Sequence, residues 1–152
     1  MPALLTVDVE KAVRAPVPPS FVRDVLRSAL QVPELSSRLA PAARGVAVRV
    51  TSDRELRRLN LAYAGEDHAT DVLSFGGDGE HLGDLAISWP AVVRQAAQFG
   101  HSERTELALL CVHGLLHLLG WDHAATAERR EMTRLTKAAL RESGIRLAAR
   151  RL

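Results

Sequence analysis

Between Leu107 and Leu119 the chain is apolar on every side, interrupted only by His113, Gly114 and His117. A helix with no polar stripe belongs in the middle of a core rather than on its surface. Two imidazoles placed there need a partner strong enough to offset their desolvation, and a metal ion supplies one. His113 and His117 are four residues apart, so on a helix they differ by about 40° around the axis and one turn along it. Both project from one side, as a chelating pair must. If the helix simply continued, His123 would point roughly 120° away from His117. Gly120 falls where a left-handed residue commonly ends a helix, and a turn there brings His123 back towards the first two.

Three neutral imidazoles at about 2.0–2.1 Å leave a fourth tetrahedral position open for water, the arrangement of catalytic rather than structural zinc. The predicted ligands are therefore His113, His117 and His123, and the predicted cofactor is one Zn2+ per chain. The water on that zinc is the proposed catalytic group, and no side chain is assigned as a base. Histidine ligands disfavour calcium and magnesium, while ligand type alone leaves iron, nickel and copper open; zinc is the commonest choice. Asp122 precedes the third histidine and is placed either to orient a ligating imidazole or to brace the turn after Gly120. His68, His81 and His101 fall in or beside expected loops, where side chains are solvated, and they are assigned no metal.

The 152 residues, 47% hydrophobic and 25% charged, are expected to form a single domain over 1–152. Strands are expected at 3–9, 44–50, 70–76 and 82–88, the last two as a hairpin across the turn-rich Gly76-Gly77-Asp78-Gly79-Glu80. Helices are expected at 20–31, from a Ser52/Glu55 capping box to about Ala62, from Trp89 to Phe99, from Ser102 to Leu119 and from Thr126 to Arg141. Strands early and helices late suggest an α+β fold: a small mixed sheet packed with helices, with the zinc site at the end of a central buried helix. Cys111 is the only cysteine and sits in the apolar run, which excludes an internal disulfide and fits a reducing compartment. Neither a secretory leader nor a bilayer-length apolar run is evident, so the expectation is a cytoplasmic protein with no membrane partner. Basic residues exceed acidic ones by only two, yet nearly all are Arg, whose planar fork suits phosphate.

The order His-x-x-x-His-x-x-Gly-x-x-His is the spacing of metzincin peptidases, whose general base is a Glu directly after the first histidine. Here that position is Gly114, so a metallopeptidase would lack its usual proton acceptor. The whole string from His113 to His123 instead resembles the signature of the YbeY family of bacterial metal-dependent endoribonucleases. Leu59-Asn60, Thr70-Asp71-Val72-Leu73-Ser74-Phe75 and Leu82-Gly83-Asp84 resemble that family's other motifs in the same order.

The resemblance implies a zinc-dependent endoribonuclease acting on single-stranded RNA in small-subunit ribosomal RNA maturation and ribosome quality control. The implied partners are a ribosomal RNA precursor and ribosomal proteins or the small ribosomal subunit. A zinc-stabilised, non-catalytic ribosome-assembly factor is the alternative from another class. Where the family has Tyr-Arg after Leu-Asn, this chain has Tyr63-Ala64, so the arginine associated with the phosphate is replaced. Arg57 and Arg58, earlier on the same predicted helix, are the candidates to bind substrate in its stead; a solvated helix face is the competing reading. Asp71, Ser74 and Asp84 either line the cleft or brace the loop.

Overall fold

A computed structural model describes residues 5–122 and 125–152. The elements run β1 (Thr6–Lys11), α1 (Pro19–Ala29), α2 (Pro33–Ser36), β2 (Gly45–Thr51), α3 (Asp53–Ala64), β3 (Val72–Gly76), β4 (His81–Ser88), α4 (Trp89–Phe99), α5 (Glu103–Leu118) and α6 (Thr126–Glu142). The strands form one mixed sheet in the order β1-β2-β4-β3, with β1, β2 and β4 parallel and β3 antiparallel at the edge. The fold is therefore α+β, with a small mixed sheet and, among the described residues, six helices, as the order of elements predicts.

Alternation along the strands divides the sheet into two unlike faces. Val7, Val46, Val48, Val50, Leu85 and Ile87 are buried on one. The other carries Asp8, Glu10, Arg49 and Asp84, none of them buried. The apolar face meets α5, which also touches α1, α4 and α6. Of its residues, those from Leu107 to Val112, together with Leu115 and Leu116, are all buried, so the run that is apolar all round is indeed the central helix. Burial also pushes the Cys111 thiol up to about 12, consistent with an inert core residue.

Four expectations are adjusted. The first strand reaches Lys11 rather than residue 9, because its pairing with β2 continues to Val50; residues 1–4 lie outside the description. The helix after Ser52 reaches Ala64, ended by Gly65 at φ 71°. Its capping box is half formed: Ser52 Oγ accepts from the Glu55 N–H at 3.2 Å, but the Glu55 carboxylate turns to Arg49 instead of back to the cap. His101 is not solvated. Its side chain is only 8% exposed and its Nδ1 accepts from the Ala148 N–H, so Nε2 carries the proton and donates to Glu106 at 2.7 Å.

Glu106 is fully buried in the first turn of α5, and the segment after α6 closes over it. Arg151 grips the carboxylate with two nitrogens at 2.9 and 2.8 Å, and Gln95 Nε2 donates from 2.8 Å. Burial alone would push this carboxyl up; donation from Arg151, His101 and Gln95 outweighs it and holds the group below the ordinary carboxylate range.

Glu106→Ala is therefore expected to cost about 3–5 kcal/mol, because it leaves a buried guanidinium without its counter-charge. Urea unfolding measures this, and a loss under about 1 kcal/mol would contradict the assignment. Since the folded-state pKa is lowered, Glu106 contributes stability at pH above its unfolded value of about 4.3. That contribution is lost as the pH falls through the folded value.

Candidate metal centre

The last two turns of α5 are pressed onto the β3–β4 hairpin. Ser74 Oγ on β3 donates to the Gly114 carbonyl at 3.1 Å, and a Cβ built at Gly114 would lie 2.8 Å from Leu85 Cδ2 and 3.3 Å from Ser74 Oγ. Glycine at 114 therefore permits the close approach of helix and hairpin. A glutamate at this position would drive its carboxylate into packed core, so the site has no room for the peptidase base that the histidine spacing brings to mind.

With Gly114 turned to the sheet, His113 and His117 lie on another side of α5, both half-buried. Their rings are tilted by 60° with centroids 4.9 Å apart, and the two Nε2 atoms are separated by 3.2 Å. Two nitrogens each about 2.0–2.1 Å from a tetrahedral zinc are about 3.3 Å from one another. The pair thus fits one edge of a zinc coordination sphere, with both Nε2 atoms turned to a common point.

Past the histidines, the helix ends as the glycine predicts. Gly120 has φ 97°, its N–H bonds the His117 carbonyl at 3.0 Å, and the Trp121 N–H reaches back to the Leu116 carbonyl at 3.0 Å. That pattern is a left-handed helix stop which reverses the chain. Trp121 is buried at this stop, with the Arg38 guanidinium 3.6 Å over its ring. Asp122 follows on the exposed side. The third predicted ligand, His123, lies outside the described residues. Among the described residues no group of three or more His, Cys, Asp or Glu is placed to hold a metal, so His113 and His117 are the part of the predicted set that the fold brings together.

Arg57 and Arg58 are placed elsewhere. On β3, Ser74 points to α5 and Phe75 to the opposite face, where Tyr63 of α3 meets it edge-on at 5.2 Å. The C-terminal half of α3 therefore lies across the sheet from the histidines. Arg58 sits 3.6 Å from Glu55 on its own helix, whereas Arg57 bonds Asp67 at 2.7 Å in the loop that leads round the β3 edge. Ala64, the last residue of α3, is exposed. Among the remaining motif residues, Asp71 accepts from Gln95 at 3.3 Å and Asp84 is exposed beside His81 at 3.1 Å. Asp71 braces the hairpin, whereas Ser74, which also holds α5, and Asp84 line a cavity shared with Tyr63, Phe75 and Arg49. His68 and His81 are exposed, as expected.

Sequence reasoning misses the Glu106 cluster, because Arg151 meets that carboxylate 45 residues away in sequence. The signal available was a lone carboxylate beside the apolar run, which a buried position obliges to find a cation.

Purified without chelator, the parent chain is expected to carry one zinc, and His117→Ala to lose most of it, because removing one arm of a 3.2 Å pair breaks the chelate. Elemental analysis reads the stoichiometry. Equal zinc in parent and variant would place the metal elsewhere.

Comparison with known proteins gives a concordant family. The family model described as Endoribonuclease YbeY matches residues 9–144. A protein named Endoribonuclease YbeY from Roseiflexus castenholzii is 51% identical over 89 residues, covering 51% of this chain and 56% of that protein. Its namesake in Chloroflexus aggregans is 48% identical over 101 residues, 59% of this chain and 66% of the relative. Another in Moorella thermoacetica is 42% identical over 128 residues, 70% and 81% respectively. The chain thus spans between half and two thirds of the length of the first two relatives. The solution structure of TM1509 from Thermotoga maritima aligns with TM-score 0.60 at 19% identity, covering 91% of this chain and 92% of that one, a likeness of fold. With the family match running through most of the sequence, from the end of β1 to the residues just past α6, the chain belongs to the endoribonuclease YbeY family.

Proposed function

We propose that this chain is a zinc-dependent endoribonuclease that cuts single-stranded RNA, acting in small-subunit ribosomal RNA maturation and ribosome quality control. The observation that carries the reading is the His113–His117 pair, its Nε2 atoms 3.2 Å apart near the end of a buried helix that stops at the left-handed Gly120. Zinc held by these three histidines would polarise a phosphoryl oxygen and acidify water at neutral pH. The imidazoles would hold it in their neutral form, through the Nε2 atoms that lie 3.2 Å apart. Ser74 and the bare Cα of Gly114 fix the helix against the hairpin, so the two rings are held by packed core rather than by a mobile loop. With no carboxylate at 114, the site favours phosphodiester cleavage over peptide cleavage. The partners in this reading are a ribosomal RNA precursor and the small ribosomal subunit.

The family arginine is replaced by Ala64, and of the two nearby cations Arg57 is the better placed. Seven residues separate Arg57 from Ala64, which returns it to within about 20° of the same line along α3. Asp67 also draws its guanidinium to the loop at the β3 edge. Arg58 is turned about 120° from Ala64 and belongs with Glu55.

Single-turnover cleavage of a short single-stranded RNA tests the proposal. The parent chain is expected to cut it, Arg57→Ala to cut roughly tenfold more slowly with unchanged zinc content, and Arg58→Ala to match the parent. A zinc-loaded parent that binds RNA but never cuts it would favour the non-catalytic assembly factor. Equal rates in all three proteins would remove Arg57 from the reaction.

A further inference from the structure

We infer that the outer face of α6 is a track for the phosphates of single-stranded RNA leading away from the histidine site; the RNA partner rests on the function proposed above. With about 100° per residue, Arg134, Lys137 and Arg141 fall within about 40° of Arg130 around the helix, at spacings of four, three and four. Met132, Leu135, Thr136, Ala139 and Leu140 are buried on the opposite side. The four cations therefore occupy the solvent-facing line, and each is exposed. The carboxylates of α6 lie off that line: Glu131 and Glu142 are turned by about 100–120° and Glu128 by about 160°. Over the eleven helical steps from Arg130 to Arg141 the stripe is about 16 Å long.

This segregation is not a by-product of overall charge, because the whole chain carries a net charge of only +2. Some surface arginines elsewhere are paired, Arg57 with Asp67, Arg58 with Glu55 and Arg94 with Asp53, but no other helix among the described residues lines up four cations along one face as this one does. On α6, Arg134 bonds Glu34 at 3.0 Å, and no ion pair is found for Arg130, Lys137 or Arg141 among the described residues. Three cations without counter-charges on one helix face, with the paired Arg134 between the first two, repel one another, and a linear polyanion relieves that repulsion by replacing their loose counterions. A membrane surface fits less well, since the exposed large hydrophobics Leu61, Tyr63, Val93 and Leu152 all lie outside α6. RNA is favoured over an acidic protein because the chain belongs to an endoribonuclease family and α6 packs on α5, the helix that carries His113 and His117.

The test is binding of the zinc-loaded full chain to a single-stranded RNA, titrated at several salt concentrations and compared with Arg130→Ala/Lys137→Ala/Arg141→Ala. Each phosphate contact on a single strand contributes about 0.7 to the slope of log affinity against log salt, so the triple variant should lose about 2 from that slope. At the lowest salt it should bind at least about tenfold more weakly, with zinc content and thermal midpoint unchanged. Arg130→Lys/Arg141→Lys should retain the parental slope, which separates loss of charge from loss of packing. An unchanged slope and affinity in the triple variant would overturn the inference. So would RNA binding that stays intact while binding to poly-glutamate is lost, the signature of an acidic protein partner. Because the readout is binding, a chain that uses the stripe but never cuts RNA overturns the proposed activity alone, and one that cuts RNA with an unchanged slope overturns the stripe alone.

Discussion

The close approach of α5 to the β3–β4 hairpin, with no side chain at Gly114 to hold them apart, governs the geometry of the site. Because the Gly114 face lies on Leu85 and accepts Ser74, the rotation of α5 about its own axis is fixed. That rotation in turn sets where His113 and His117 point. A methyl group at 114 would have to displace Leu85, which is itself 1% exposed and hemmed in by the core. Packing therefore does what a loop-borne site would need additional hydrogen bonds to achieve: it holds the two imidazole nitrogens 3.2 Å apart.

The central helix is secured at both ends by different physics. At its C-terminal end the left-handed Gly120 and buried Trp121 terminate it within reach of the histidines. At its N-terminal end Ser102 caps it and Glu106 binds Arg151, His101 and Gln95 in an interior that excludes water. Gln95 also donates to Asp71, just before β3, so the charged cluster and the hairpin that supports the histidines share one residue on α4.

Much of this was legible in the sequence because it is written in local signals. The apolar run 107–119 identifies the core helix, the four-residue spacing puts His113 and His117 on one side of it, and glycine at 120 identifies its end. Trp89–Phe99 is bounded as expected, since Ser88 caps one end and Gly100 at φ 76° ends the other. Less legible were features that depend on partners distant in sequence. The four-residue α2 is too short to show periodicity, and His101 is buried only because the Ala148 backbone and Glu106 meet it. Helix spacing places Arg57 and Arg58 near Ala64, but only the pairing of strands reveals that α3 and α5 lie on opposite faces of the sheet.

The central claim is that RNA cleavage depends on zinc held at the His113–His117 edge. It is tested most directly by removing the metal from the full chain with a chelator and adding zinc back in steps while single-stranded RNA cleavage is followed. Cleavage should vanish in the metal-free protein and return linearly to a plateau at one zinc per chain. Full cleavage by the metal-free protein would contradict it.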